Sequence, residues 1–179
     1  MKKFMNDADT LLHDALLGMA SAHADVLELH LDPVHVLRAP AARKAKVALV
    51  SGGGSGHEPL HVGFVGTGML DAACPGQVFT SPTPDQMIAA ASAAHTGRGV
   101  LFIVKNYAGD VMNFQMASEM LGIENATVLV TDDVATGSPG QRAGRRGVAG
   151  TLMVEKMVGA AAETGADLRE CQALGERVN

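Results

Sequence analysis

Residues 47–59 read VALVSGGGSGHEP. A continuous apolar run, Val47 to Val50, has the character of a strand buried on both faces. It feeds three glycines, Ser55, a fourth glycine and then His57-Glu58-Pro59. Glycine loses more backbone entropy on folding than any other residue, so this density needs a structural cause, such as a loop that brings a ligand close to the backbone. We read Ser51–Gly56 as a loop after the strand, and 59–66 as the start of a helix with Pro59 in its first turn.

Two further apolar runs behave alike. Residues 99–104 (GVLFIV) end in Lys105-Asn-Tyr-Ala-Gly-Asp110, and 127–130 (TVLV) end in Thr131-Asp132-Asp133. Helical periodicity separates them, over about 7–22, 84–95, 111–121, 150–163 and 167–178. The second of these helices has a capping box, Thr83 with Gln86, and Pro84 in its first position. Residues 26–31 alternate as a short half-exposed strand, Asp32-Pro33 and Cys74-Pro75-Gly76 read as turns, 38–46 as a connection and 78–80 as a short strand. Met112, Met116, Met120, Met153 and Met157 stand at helical spacing and read as core. Continuous apolar strands alternating with helices predict an α/β fold: a three-layer sandwich whose mostly parallel sheet is covered by helices on both faces. No repeat, low-complexity tract or linker divides the chain, so residues 1–179 are expected to form one domain.

Composition narrows the function. Of 179 residues, 47% are hydrophobic but only 3% aromatic, so aliphatic residues and Met must build the core. A net charge of −5 argues against nucleic-acid binding. Two cysteines, Cys74 and Cys171, lie far apart, in no metal-type spacing, and fit reduced thiols in a cytoplasmic protein. Asn6-Asp7-Ala8-Asp9 interrupts any apolar leader, and no run of uncharged apolar residues is long enough to cross a membrane.

In sheets of this kind ligands bind beyond the carboxyl ends of the strands. That rule gathers the glycine stretch, Lys105–Asp110 and Thr131–Asp133 as candidates for one site. The glycine stretch just misses three known patterns. A phosphate-binding P-loop needs Gly-Lys-Ser/Thr, a dinucleotide fingerprint needs G-x-G-x-x-G and a nucleophile elbow needs G-x-S-x-G. Each fails at or just after His57. The arrangement fits a loop that offers backbone N–H groups to a small polar ligand and delivers His57 beside it. His57 is then a candidate general base, Asp110 a carboxylate at a helix start and Lys105 a donor to substrate oxygen; the ordinary alternatives are a capping histidine, a helix cap and a solvated lysine. His57-Glu58-Pro59-Leu60-His61 also matches the zinc pattern H-E-x-x-H, but Pro59 is at odds with the continuous helix that chemistry requires. We expect no metal, and we place His61 and His95 on helices away from the strand ends. The Arg142–Arg146 loop is either a phosphate or partner clamp, or a solvated loop.

The segments KVALVSGGGSGHEPLHVGFVGTGMLDAACPGQVFTSPTPDQ, VKNYAGDVMNF and AGRRGVAGTLMVEK, in this order and spacing, resemble the dihydroxyacetone kinases over nearly the whole chain, specifically their dihydroxyacetone-binding subunit or domain. The resemblance implies a small ketose substrate, dihydroxyacetone or a four-carbon relative such as erythrulose. It implies phosphoryl transfer to a terminal hydroxyl, with His57 as general base and Asp110 polarising or deprotonating that hydroxyl. Gly54, Ser55 and Gly56 would line the substrate, and Lys105 would bind its oxygen. It also implies that the phosphoryl donor, ATP with Mg or a phosphorylated carrier, sits on a partner nucleotide-binding subunit or domain, so this chain is expected to bind no cofactor of its own. A homodimer is implied as well. In the family a histidine beyond position 179 captures the substrate carbonyl as a hemiaminal, so the chain is expected to be the N-terminal part of a longer protein, the alternative being a natural half-length relative. The alternative expectation is a non-catalytic sensor or regulatory module of the same fold.

Overall fold

The computed structural model describes residues 2–136 and 144–179. Six strands form one sheet: β1 (Leu27–Leu31), β2 (Val34–Arg38), β3 (Ala48–Ser55), β4 (Ala72–Val78), β5 (Val100–Lys105) and β6 (Asn125–Val130). Their spatial order is β1-β2-β4-β3-β5-β6. β4, β3, β5 and β6 run parallel, and the β1–β2 hairpin adds antiparallel to β4. Five helices cover the sheet: α1 (Leu11–Ala22), α2 (Pro84–Ala94), α3 (Ala108–Met120), α4 (Gly150–Glu163) and α5 (Leu168–Val178). The expected three-layer α/β sandwich is therefore the observed fold.

Alternate residues of β3 and β5 supply two separate cores, and β6 adds to the first of them. Leu49, Leu101, Ile103, Val128 and Val130 pack with Leu16, Val154, Val158 and Leu168 of α1, α4 and α5. Ala48, Val50, Phe102 and Val104 pack on the other face with Met87, Phe114 and Ala117 of α2 and α3. Burial on both faces is why β3 and β5 read as continuous apolar runs, whereas β6 leaves Leu129 exposed. Gln86 accepts from the Thr83 backbone N–H at 2.9 Å, the capping bond expected at the start of α2. Its amide then donates to Val34 O at 2.7 Å and Pro75 O at 3.0 Å, tying α2 to the sheet.

Several expectations fail for identifiable reasons. The glycines are not a loop: β3 continues through Ser51-Gly52-Gly53-Gly54 to Ser55. Cys74-Pro75-Gly76 is not a turn but part of β4, and β4 ends at Val78 where a separate short strand was expected. Pro75 is tolerated because β2 pairs with β4 only at Ala72 and Ala73, and the β2 carbonyl of Val34 takes its donor from the Gln86 amide instead. Residues 59–66 form no α-helix. They make successive turns and a single 3-10 turn, Val62–Phe64, in a stretch whose Val62, Gly63 and Val65 are poor helix formers. β2 falls where no element was expected. Finally, Met112, Met116, Met120, Met153 and Met157 are exposed, not core. α3 carries a second stripe at helical spacing, Asp110, Phe114 and Ala117, and that stripe faces the sheet. No helix of the described residues is long and apolar enough to cross a membrane.

Candidate functional site

A cavity of about 310 Å³ opens beyond the carboxyl ends of β3 and β5. Gly54, His57, Lys105 and Asp110, all singled out in the sequence, line it. Gly54 borders it because the chain after β4 crosses directly over the strand. A Cβ at Gly54 would lie 2.6 Å from Thr80 N and 2.8 Å from the Phe79 carbonyl carbon, so no other residue fits. One residue earlier, a Cβ at Gly53 would lie 2.9 Å from Lys105 Nζ and 3.5 Å from His61 Cδ2. The glycines thus clear the floor for two side chains and the crossing segment.

Ser55 and Gly56 do not border the cavity. Ser55 is buried and donates its hydroxyl to Gly76 O at 2.7 Å. Gly56 is exposed, with φ +100°, and its N–H is taken by the Glu58 carboxylate at 2.9 Å. Thr131, Asp132 and Asp133 also lie outside the lining. Asp132 instead accepts from Val148 N at 2.7 Å and Gly150 N at 2.8 Å, fixing the segment that forms one wall of the cavity.

Asp110 sits in the first turn of α3, only 4% exposed, where the helix dipole favours its charge. Burial nevertheless pushes its carboxyl above the usual range, against a hydrogen bond from Ser81 and the charges of Lys105, His61 and His57. Its Oδ1 has no hydrogen-bond partner among the described residues. Lys105 ends β5 and is buried; burial holds its ammonium below the ordinary lysine range, opposed by Asp110 and Glu155. A buried carboxylate and a buried ammonium therefore face the same small cavity, both partly desolvated. His57 is exposed at the mouth, its ring 5.1 Å from that of Phe79 in an edge-on contact.

His61 is the largest departure from expectation. It lies on no helix, and its ring is buried beneath Gly53, with Nδ1 2.8 Å from Glu155 Oε1 and 3.1 Å from Ser51 Oγ. His57 points outward and His61 inward, so the shared helical face that an H-E-x-x-H zinc site needs is not formed.

Sequence reading missed Leu60, Phe79, Ser81, Tyr107 and the Gly147–Ala149 wall. Phe79 and Ser81 come from the crossing after β4, and residues 147–149 come from a loop about forty positions after Lys105. Tyr107 alone had a legible signal, inside the Lys105–Asp110 run. Arg142 lies outside the described residues. Arg146 donates to Asn106 O at 3.1 Å and its guanidinium stands 5.3 Å from the Tyr107 ring centroid, which ties the loop to the cavity rim.

The fold and cavity define an α/β domain with a small cavity, lined in part by charged side chains, at the carboxyl ends of its parallel strands. The chain belongs to the Dak1 domain family, whose model matches residues 17–179. It is 53% identical to the "PEP-dependent dihydroxyacetone kinase, dihydroxyacetone-binding subunit DhaK" of Escherichia coli, covering 100% of this chain and 51% of that protein. Among solved structures it resembles the native dihydroxyacetone kinase of C. freundii, with TM-score 0.85 and 42% identity over 96% of this chain and 33% of that one. It also resembles the dihydroxyacetone kinase operon co-activator Dha-DhaQ, with TM-score 0.84 and 32% identity over 90% of this chain and 50% of that one. The chain spans about half the length of the curated relatives it matches first.

Proposed function

We propose that the chain is the N-terminal part of a dihydroxyacetone-binding kinase subunit, and that its cavity presents a small ketose for phosphorylation at a terminal hydroxyl. The observation that supports this most is the convergence of His57, Lys105, Asp110 and Gly54 on one cavity of about 310 Å³, small enough for a three- or four-carbon ketose. Lys105 donates to a substrate oxygen. The unpartnered Oδ1 of Asp110 accepts the reacting hydroxyl's hydrogen bond. His57, at the mouth, faces the side from which a donor must approach. As the hydroxyl oxygen forms its bond to phosphorus, its proton passes to His57 or Asp110 and the donor's P–O bond breaks. The donor, ATP with Mg or a phosphorylated carrier, is held by a partner nucleotide-binding subunit or domain. On this reading the complete protein is a cytoplasmic homodimer.

The similarity to an operon co-activator gives a second reading, a ligand sensor without turnover. Incubating the complete protein with its nucleotide-binding partner, donor and dihydroxyacetone separates the two. The kinase reading expects a ketose phosphate, and His57→Asn should lower turnover about 10²–10⁴-fold while changing substrate affinity much less. Ketose binding with no phosphate ester formed under any donor would leave the sensor.

A further inference from the structure

Three glycines follow one another in β3, and a Cβ would meet something different at each. At Gly52 it would lie 2.7 Å from Cys74 O, and at Gly54 2.6 Å from Thr80 N, so both positions are closed by backbone. At Gly53 the three nearest atoms all belong to side chains: Lys105 Nζ at 2.9 Å, Lys105 Cε at 3.3 Å and His61 Cδ2 at 3.5 Å. The register explains the meeting. β3 and β5 pair in parallel from Ala48 with Val100 to Ser51 with Ile103. Counted two residues further along each strand, Gly53 comes level with Lys105 on the same face of the sheet. Lys105 lies across β3 because its neighbour there has no side chain.

We propose that Gly53 is a positioning residue for Lys105: its missing side chain gives the ammonium a seat against β3, and that seat sets where the lysine delivers its hydrogen bond to substrate oxygen. The inference rests on the kinase reading for the substrate; the seat itself does not. The base of the lysine is fixed. Lys105 pairs with Val130 of β6, and Gly147 packs so closely that a Cβ there would lie 2.8 Å from Lys105 Cα. The Cε–Nζ end is therefore what a methyl at position 53 moves. The strand itself accepts that methyl, since Gly53 is outside the left-handed region and the His61 contact is an ordinary van der Waals one. A hydrogen bond weakens steeply once its donor leaves the favourable distance and angle, so a displaced ammonium loses its grip on the substrate. Gly52 and Gly54 thus make room for backbone, and Gly53 makes room for the side chain that binds.

The test is Gly53→Ala in the complete protein, assayed with its nucleotide-binding partner and donor. KM for dihydroxyacetone should rise about 10- to 100-fold, the worth of a hydrogen bond to a charged group, while kcat changes much less, as expected when a binding contact alone is lost. The rise should vanish in a Lys105→Ala background, because Gly53 acts through the lysine. An unchanged KM, or an equal rise without the lysine, overturns the proposal. If Gly53→Ala does not fold, the double variant with Lys105→Ala decides: a recovered fold shows that the lysine is what the methyl meets, and no recovery overturns the seat. A crystal structure of Gly53→Ala needs no activity. It should show Nζ moved off β3 with the strand in place; a displaced strand with Nζ unmoved overturns the inference. A wild-type protein that phosphorylates no ketose, with Nζ displaced in that crystal structure, would discard the kinase reading and leave Gly53 as the seat of Lys105.

Discussion

Two buried polar clusters occupy opposite ends of the sheet. At the amino ends of β3 and β4, Asp71 bonds to both Lys46 and Arg38, and its Oδ2 also accepts from Leu49 N at 2.9 Å. Glu163, at the end of α4, bonds to Arg38 and takes Lys44 at 2.7 Å. At the carboxyl ends, Lys105, Asp110, His61 and Glu155 include three unpartnered polar atoms among the described residues: Asp110 Oδ1, His61 Nε2 and Glu155 Oε2. In the first cluster only Arg38 Nε lacks a partner. Both clusters put charge in a low dielectric, but the first uses its bonding capacity to join β2, β3, β4 and α4. The second leaves bonding capacity unused, at the cavity in Asp110 Oδ1 and outside its lining in His61 Nε2 and Glu155 Oε2.

The sharpest way to break this contrast is Asp110→Asn. An amide in place of the carboxylate loses the capacity to accept a proton from the hydroxyl. In the complete protein, turnover should fall about 10²–10⁴-fold, measured as ketose phosphate formed per folded molecule. Turnover within a few-fold of wild type would take Asp110 out of the chemistry.

Asp71→Asn should do the reverse. It leaves Lys46 buried beside a neutral amide, and breaking one partner of a buried pair costs about 3–5 kcal/mol. Denaturant unfolding should record that loss, while ketose affinity of the folded fraction stays close to wild type. A large affinity change would mean that the two ends of the sheet are coupled.

The contrast also explains what could be read in the sequence. β3 and β5 were legible because their burial on both faces writes itself as apolar runs, β6 was legible from its run Thr127–Val130 although Leu129 is exposed, and Lys105 and Asp110 followed from their position after one of those runs. β2 was not legible. Its His35 and Arg38 are buried, and Arg38 is stabilised there by Asp71 and Glu163, the latter 125 positions away. His61 was misplaced for the same reason: what draws it inward is Glu155, 94 positions later. The glycines were read as a loop cleared for a ligand, but they lie in a strand and the groups that approach them, Phe79–Thr80 and Lys105, come from other elements of the chain. The methionines show the limit of periodicity, since α3 carries two stripes at helical spacing and spacing alone does not say which faces the sheet.

A pH measurement sharpens the comparison further. Burial alone would raise the Glu163 carboxyl, but hydrogen bonds from Lys44, Arg38 and Gly68 and the charge of Lys46 bring it from 4.5 to about 2. A depressed carboxyl stabilises the fold at neutral pH and loses that contribution as pH falls from about 4.5 toward 2. With Lys44 half-exposed and screened by water, the contribution is about 1–2 kcal/mol. Chemical unfolding at pH 7 and pH 3 should show a steeper acid loss for the wild type than for Glu163→Gln. Parallel curves would remove Glu163 from the acid sensitivity.

The smallest effect has the opposite sign. Burial raises the Asp110 carboxyl above its ordinary 3.8, so the folded protein binds this proton more tightly than the unfolded chain does. The linkage then runs the other way: the fold is favoured while Asp110 is protonated, and the advantage is lost as pH rises through the raised value. Once ionised, Asp110 is a cost that the fold carries. Asp110→Asn removes that charge while keeping a group able to bond Ser81, so its melting temperature at pH 7 should equal or exceed that of the wild type, by less than about 1 kcal/mol in stability. The gain should shrink as pH falls and the wild-type carboxyl takes up its proton. The same substitution that abolishes turnover would then leave the protein no less stable, whereas Asp71→Asn destabilises a protein whose site is intact. If Asp110→Asn instead melted several degrees lower at pH 7, Asp110 would be a structural anchor like Asp71, and the difference between the two ends of the sheet would disappear.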